Sequence, residues 1–285
     1  MAADLQLVRR PRVGHIQFLN CLPLYHGLVH SQAVLDLELT KGTPTELNAA
    51  LLEGRLDAGP ISSVEYLRHA SELLLLPDLV VAADGAVRSI TLASRRPVEE
   101  LDGAMVALTN TSATSVALLE LLLRERWNVK VESFSCPPDL PRMLEEADAA
   151  LLIGDDAMRA NYADLHTYDL SEQWQAHTGW PMVFAVWAVR RDWAAEHADQ
   201  VAAVHAAFQR SLEHSLAELA AIAADAARWE PFSAADLEAY FRGLEFRFGP
   251  REQSGLVLFA ERLASAGGYG LERVPAFDFA PVWLG

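Results

Sequence analysis

The sequence predicts an α/β protein of two lobes with a cleft between them. Apolar segments typical of strands alternate with capped helical segments over roughly the first two thirds of the chain, which favours mainly parallel sheets. The strands at 104–109 and 182–189 bracket an inner α/β unit, so the flanking segments form a second lobe. We therefore expect one lobe from residues 1–103 plus 190–285 and another from residues 104–189. The two crossings between them would form a hinge.

The N-terminal part of the chain contains marked helix starts between short strands. Thr43, Pro44 and Glu46 have the spacing of a capping box, in a helix that Gly54 closes. A further helix is expected to begin at Ser62 or Ser63. Strands or strand-like apolar runs are predicted at 12–16, 35–39, 56–61, 73–81 and 87–93.

The rest of the chain keeps this alternation and then becomes helical. Asp155 is expected to cap the helix that follows a buried-type strand. After Arg190 the sequence is rich in alanine and reads as a helical C-terminal part of the first lobe. The predicted elements are strands at 104–109, 149–154 and 182–189, and helices at 115–127, 137–147, 194–227, 233–241 and 250–266.

Composition excludes several classes of function. The formal net charge is −16 and the sequence pI about 4.9, which argues against nucleic acid and anionic membranes as partners, since both require a basic surface. Two cysteines fit a reducing compartment, and no secretory signal or membrane span is apparent. We expect a cytoplasmic protein that binds a small molecule and needs neither a metal nor a cofactor.

The segment 109–115 is the most informative stretch of the chain. Five of its seven residues are Ser or Thr, and it lies between a predicted strand and a predicted helix. Such a turn presents hydroxyls and free backbone N–H groups at the positive end of a helix, so it binds anions without a cationic side chain. The alternative is an ordinary helix cap at Thr111 or Ser112. The candidate binding residues here are Thr111, Ser112, Ala113 and Thr114.

Other polar residues follow predicted strands, where the sites of α/β proteins form. Asn20 comes after the first strand, Ser62 and Ser63 come after the third, and Ser89 lies within the alternating run 87–93. Each has an alternative explanation as a turn or cap residue. Further candidates are Asp155 after a buried strand, and Thr178 and Gly179 in a tight turn. The nine histidines show no metal-binding spacing and Cys21 has no evident base, so packing roles are favoured for them.

Short motifs follow one another along the chain in the segments 20–24, 54–66, 87–90, 111–115, 152–157 and 178–185. In this order they resemble one family, the chorismate dehydratases of the futalosine route to menaquinone. The resemblance implies a type II periplasmic-binding-protein fold used as an enzyme, with Asn20 and Ser89 as catalytic residues. It implies conversion of chorismate to 3-[(1-carboxyvinyl)oxy]benzoate with loss of water.

The chemistry of that reaction suits a cleft lined by hydroxyls and amides. Chorismate carries two carboxylates, and its dehydration makes the ring aromatic, so positioning and charge stabilisation suffice. No strong protein base is evident, and we expect the substrate's own enolpyruvyl carboxylate to take the proton. Two alternatives remain: a non-enzymatic binding protein for a small anion, and the sister enzyme that makes 1,4-dihydroxy-6-naphthoate. The latter uses a cleft histidine, for which His177 is the candidate.

Overall fold

The computed structural model describes residues 9–30 and 36–282, and they form two lobes, each built on a five-stranded sheet. The first sheet has the order β2-β1-β3-β10-β4 and the second the order β7-β6-β8-β5-β9. The strands of the first sheet are β1 Arg12–Ile16, β2 Glu38–Gly42, β3 Ala58–Ser62, β4 Leu73–Ala83 and β10 Met182–Arg190. Those of the second are β5 Ile90–Ser94, β6 Met105–Thr109, β7 Glu132–Cys136, β8 Ala149–Ile153 and β9 His166–Asp169.

Each sheet has four strands in one direction and one against them. β1 pairs in parallel with β2 and β3, and β6 pairs in parallel with β7 and β8. β10 runs antiparallel to both of its neighbours, and so does β5. The prediction of mainly parallel sheets is therefore confirmed, with one reversed strand in each lobe.

Sheet membership corrects the expected lobe boundaries by one strand at each crossing. β5 lies in the second sheet although it precedes residue 104, and β10 lies in the first sheet although it precedes residue 190. The chain thus crosses between the lobes at 84–89 and again at 179–181. Both strands are apolar on both faces, so their periodicity carries no sign of which sheet they join.

Twelve helices occur in the described part of the chain, and the capping pattern placed several of them correctly. Thr43 and Glu46 form the predicted capping box, with the Thr43 N–H donating to the Glu46 carboxylate at 2.8 Å. The helices in the first two thirds of the chain are α1 Leu22–His30, α2 Pro44–Leu52, α3 Ser63–Arg68, α4 Ala113–Glu125, α5 Leu140–Glu146, α6 Gly154–Arg159 and α7 Leu170–Thr178. The C-terminal helices are α8 Arg191–Glu196, α9 Ala198–Ala217, α10 Leu219–Ala226, α11 Ala234–Arg242 and α12 Pro250–Ala266.

Three local predictions need correction. Asp155 does not cap α6, because that helix already begins at Gly154 and Asp155 lies in its first turn. The predicted helix at 194–227 is divided into α8, α9 and α10, with breaks at His197 and Glu218. The strand predicted at 35–39 is observed three residues later as β2, and residue 35 lies outside the described residues.

The core is continuous through the first lobe and into the helices of the C-terminal part. α9 packs against α1, and α12 packs against β10, so helices of the C-terminal third pack on the first lobe. None of the helices in the described residues combines the length and apolar character needed to cross a membrane. The helix N-termini that follow β1, β3, β6 and β8 meet between the two sheets, and this junction is the cleft.

Candidate active site

The cleft between the lobes is lined by residues from both sheets. Its walls are apolar: Phe18 and Ile16 of the first lobe face Ile90 and Ile153 of the second, with Phe184 of β10 beside them. The enclosed cavity is about 40 Å³, which is room for a water molecule or two. The lobes are therefore closed on each other in this structure. The polar lining consists of Asn20, Ser62, Ser89, Ser112 and Ser115.

No Lys, Arg, His, Asp or Glu side chain belongs to this lining among the described residues. The positive potential comes instead from helix N-termini. α1 begins two residues after Asn20, Pro44 is the first residue of α2, and Ser112 is the N-cap of α4. Aligned peptide dipoles give the start of each such helix a partial positive charge, which favours anions. The cleft thus attracts an anion despite the strongly acidic protein around it.

Asn20 lies in a single 3₁₀ turn, Leu19–Cys21, directly after β1. The Cys21 N–H donates to the Phe18 carbonyl at 3.1 Å, and the Leu19 N–H donates to Asp155 Oδ1 at 2.9 Å. These bonds fix the turn against the second lobe. The amide oxygen of Asn20 is buried and accepts no hydrogen bond from the described residues. A buried polar atom without a partner is costly and rare, so this oxygen is suited to accept from a ligand.

Ser89 lies at the end of the first crossing, just before β5, and is buried. Its carbonyl accepts from the Gly154 N–H at 2.7 Å. Its hydroxyl oxygen accepts from the Tyr240 hydroxyl of α11 at 2.9 Å, while its own contact to the Val87 carbonyl is long, at 3.5 Å. The Ser89 proton is therefore free to be donated into the cleft.

The hydroxyl-rich turn acts both as a cap and as part of the cleft. Ser112 caps α4 by accepting from the Ser115 N–H at 3.1 Å, and its hydroxyl donates to Ser115 Oγ at 2.9 Å. Ser115 then keeps its own proton for a ligand. Thr111 pairs with the Thr109 hydroxyl, and Thr114 accepts from the Val64 N–H of α3 at 3.2 Å. Of the four candidate binding residues predicted in this turn, only Ser112 lines the cavity.

Ser62 and Ser63 have different roles. Ser62 lines the cleft, and its hydroxyl oxygen accepts from Asn48 Nδ2 at 2.9 Å while its N–H donates to Asn48 Oδ1 at 2.9 Å. This pair of hydrogen bonds to the buried Asn48 amide orients the Ser62 hydroxyl toward the cavity. Ser63 donates to the Val183 carbonyl at 2.7 Å, which ties α3 to β10.

Three predicted site residues lie beside the cleft and not on its lining. Asp155 holds the Asn20 turn through Leu19, and burial raises the pKa of its carboxyl. Thr178 donates to the Trp174 carbonyl at 2.9 Å at the end of α7. Gly179 follows in the left-handed conformation at φ 77°, which glycine adopts without strain. Thr178 and Gly179 thus shape the second crossing. Ala113 is the first residue of α4 and offers only its backbone.

Sequence reasoning did not find Tyr240, Asn48 or the cleft side of Ser115. Tyr240 and Asn48 each lie on a helix, where their spacing matches the buried face, and only the fold brings them to Ser89 and Ser62. Burial raises the pKa of Tyr240 far above its usual range, so it stays a proton donor. Burial likewise raises the pKa of Cys21, which supports a packing role over a nucleophilic one.

Comparisons with known proteins agree with this geometry. A family model described as menaquinone biosynthesis matches residues 11–265. A chorismate dehydratase of Thermus thermophilus is 33% identical to the chain over an alignment of 292 positions, and this alignment covers 94% of this chain and 98% of that protein.

Solved structures confirm the two-lobed binding-protein fold predicted from the sequence. A protein of Archaeoglobus fulgidus has a TM-score of 0.74 at 18% identity, covering 90% of this chain and 97% of that one. The alkanesulfonate-binding protein of Xanthomonas axonopodis pv. citri, solved with MOPS bound, has a TM-score of 0.60 at 16% identity. The match covers 97% of this chain and 99% of that one. At these identities the similarity concerns the fold alone.

Proposed function

Since the chain belongs to the menaquinone biosynthesis family, we propose that it converts chorismate to 3-[(1-carboxyvinyl)oxy]benzoate and water. The relative from Thermus thermophilus, similar over nearly its whole length, bears the name of this activity. The observation that carries the proposal is the donor character of the cleft. Ser62, Ser89 and Ser115 each accept a hydrogen bond from a neighbour and keep a proton to donate.

A dicarboxylate matches this lining. The first-turn N–H groups of α4 with Ser115 are suited to one carboxylate, and Ser62 beside the start of α2 is suited to the other. Once the lobes separate to admit the substrate, its ring would lie between Phe18 and Phe184, which exclude water from the reacting carbons. Because no lining cation pairs with the enolpyruvyl carboxylate, its pKa is lowered less than an ion pair would lower it, and it retains more of its basicity.

The elimination removes the hydrogen on the ether-bearing ring carbon and the hydroxyl on its neighbour. The enolpyruvyl carboxylate takes the proton, because the described lining offers no carboxylate or imidazole to do so. The electron pair of the broken C–H bond enters the ring, and the C–O bond breaks as the ring becomes aromatic. The departing oxygen leaves as water once it has received a proton.

We assign Asn20 and Ser89 to that departing oxygen and to the charge that develops on it. The unpaired Asn20 oxygen accepts from the substrate hydroxyl in the bound state, and the amide N–H₂ donates as the C–O bond breaks. Ser89 donates a hydrogen bond to the departing oxygen through the hydroxyl hydrogen that Tyr240 leaves available. The proton collected by the enolpyruvyl carboxylate passes to that oxygen, so water leaves and both the serine and the carboxylate return to their starting forms. The remaining predicted residues, Asp155, Thr178 and Gly179, hold the Asn20 turn and the second crossing.

The test is turnover of chorismate by the purified protein without added cofactor. We expect a product lighter by one water with the absorbance of a substituted benzoate. The Asn20→Ala variant should lose about 100-fold in kcat, the usual effect of removing one group that stabilises transition-state charge. Asn161→Ala, at an exposed position outside the cleft, is the matched control and should leave kcat unchanged.

Two results would contradict the proposal. Chorismate that binds without turnover would indicate a binding protein. Turnover of a cyclic futalosine derivative in place of chorismate would indicate the sister enzyme. The cleft favours neither, since the described lining contains no histidine, and His177 lies on α7 near the second crossing. We also propose the cytoplasm as its compartment, because Cys21 and Cys136 are both free thiols.

A further inference from the structure

Three histidines meet on the outer side of the first lobe, away from the cleft. His26 and His30 lie four residues apart on α1 and so share one face of that helix. His214 approaches from α9. One ring nitrogen from each residue lies within 4.8 Å of the other two. This is the spacing of a metal site whose ligands have only to rotate slightly to converge.

The contact between α1 and α9 sets this arrangement. Gly27 lies so close to Ser211 that a Cβ at this position would come within 2.5 Å of the Ser211 carbonyl oxygen. The Ser211 hydroxyl donates to the Leu24 carbonyl at 2.8 Å. His30 is three residues after Gly27 and His214 is three after Ser211, so each lies one turn beyond the point of contact. The ring centroids of His30 and His214 are 5.6 Å apart.

The ring nitrogens are prepared for coordination. Nδ1 of His30 is 3.1 Å from the His26 carbonyl oxygen, so it donates there and leaves Nε2 with a lone pair, as in many metal sites. Nδ1 of His26 and Nε2 of His214 are buried and form no hydrogen bond with the described residues. The Glu218 carboxylate lies 3.5 Å from His214 Nε2.

We propose that His26, His30 and His214 form a binding site for a divalent transition-metal ion of the zinc class, with Glu218 beside it as the anionic group. Three imidazoles are a donor set that such ions prefer over Mg²⁺ or Ca²⁺, and the Glu218 carboxylate, 3.5 Å from His214 Nε2, adds negative charge nearby. The ion would join α1 to α9. Since α1 begins two residues after Asn20, the ion stabilises the helix that supports the cleft without touching substrate.

Sequence reasoning expected no metal site, because no pair of histidines has the HExxH spacing and none precedes an obvious metal carboxylate. His26 and His30 form an i, i+4 pair, which supplies two of the three histidine ligands. The third ligand becomes visible only when α9 packs on α1. The proposal concerns a structural ion and is independent of the reaction assigned to the cleft.

The test uses the untagged, chelator-treated full chain, titrated with ZnCl₂ in a calorimeter. We expect one ion bound per chain, and a thermal midpoint that rises by a few degrees when Zn²⁺ is added. His214→Gln and His30→Gln should each weaken Zn²⁺ binding at least about tenfold. His166→Gln, an exposed histidine on β9 with no histidine partner in the described cluster, should bind Zn²⁺ as the parent does.

Two results would overturn the proposal: a parent protein that binds no Zn²⁺, or His214→Gln and His30→Gln variants that bind it as tightly as the parent. His30 is exposed, so its replacement does not endanger folding, and that variant alone decides between the outcomes. Circular dichroism of the metal-free variants should match the metal-free parent, which assigns the lost affinity to the ligand.

Discussion

At the scale of single residues, the cleft depends on hydroxyls that are oriented by a second side chain. Tyr240 donates to Ser89 Oγ at 2.9 Å, and it is itself buried within α11. Because the tyrosine donates here, the Ser89 hydroxyl hydrogen has only its long contact to the Val87 carbonyl and can point into the cleft. A serine without such a partner would rotate among several acceptors and lose part of its orientation on each turnover.

We predict that Tyr240→Phe lowers kcat for chorismate about fivefold and leaves KM nearly unchanged. Losing one neutral hydrogen bond costs about 1 kcal/mol, and about 1.4 kcal/mol corresponds to a factor of ten in rate. Steady-state kinetics measure both parameters. Tyr25→Phe is the matched control, since Tyr25 is also buried but donates to the Gly14 carbonyl. Equal kcat values for Tyr240→Phe and the parent would remove Tyr240 from the site.

Single residues of the cleft differ in how far the sequence could predict them. Asn20, Ser62, Ser89 and Ser112 all follow or open strands, and in an α/β fold those positions converge on one edge. All four line the cavity. Tyr240 has no such local sign, because it lies on a C-terminal helix that returns to the first lobe. Their catalytic roles stay predictions until variants are measured.

At the scale of elements, the supports of the cleft are set by close helix contacts. α1 carries the Asn20 turn at its start, and α9 packs along it at Gly27. The absence of a side chain at Gly27 allows the backbone of α9 to approach and Ser211 to bond Leu24. The position of Asn20 therefore depends on a contact that lies more than one helical turn away from it.

We predict that Gly27→Ala lowers the free energy of unfolding by about 2 kcal/mol, within the usual cost of overpacking a close contact. The new methyl group would lie 2.5 Å from the Ser211 carbonyl oxygen and 2.6 Å from its Cα, so one helix must shift. Urea denaturation measures the change. The control is Gly243→Ala, where the nearest atom is 3.4 Å away and φ is −82°. Equal stability of Gly27→Ala and the parent would mean that the helices adjust freely.

A helix whose ends are marked by neighbouring capping residues could be predicted from the sequence. The sheet that a strand joins could not, because pairing with strands distant along the chain decides it. The Thr43 capping box defines α2 from four neighbouring residues, and the structure confirms it. β5 and β10 are apolar throughout, so nothing in their sequence tells which sheet each completes. Strand pairing decided that, and it moved both lobe boundaries by one strand.

At the scale of the whole molecule, the two lobes must separate for a substrate to enter. The cavity of about 40 Å³ is far below the roughly 300 Å³ of small-molecule sites. The crossings at 84–89 and 179–181 are the only covalent links between the lobes in the described chain. Arg251 joins these crossings, because it pairs with Asp84 at 2.8 Å and donates to the Gly179 carbonyl at 3.2 Å. Hinge motion about these segments opens the cleft with little change inside either lobe.

A few polar contacts across the cleft hold the closed form. The Thr45 hydroxyl donates to the Asn110 carbonyl at 3.1 Å, and Arg159 of α6 pairs with Glu230 of the first lobe. Exposed ion pairs contribute about 0.2–1 kcal/mol each. The apolar walls of the cleft also pack against each other in this form, and a substrate that contacts both lobes shifts the equilibrium further towards closure.

We predict that Arg159→Gln raises the KM for chorismate about threefold and leaves kcat unchanged, because it favours the open form without altering the lining. Apparent affinity falls in proportion to the closed population. Small-angle scattering should give the ligand-free variant a larger radius of gyration than the parent, and saturating chorismate with Asn20→Ala added to slow turnover should restore the compact value. Arg142→Gln is the control, since Arg142 pairs with Asp139 inside the second lobe.

If Arg159→Gln and Arg142→Gln gave the same scattering curves and KM, the contact between Arg159 and Glu230 would have no part in closure. If Arg159→Gln scattered identically with and without saturating chorismate, loss of this contact would not open the cleft.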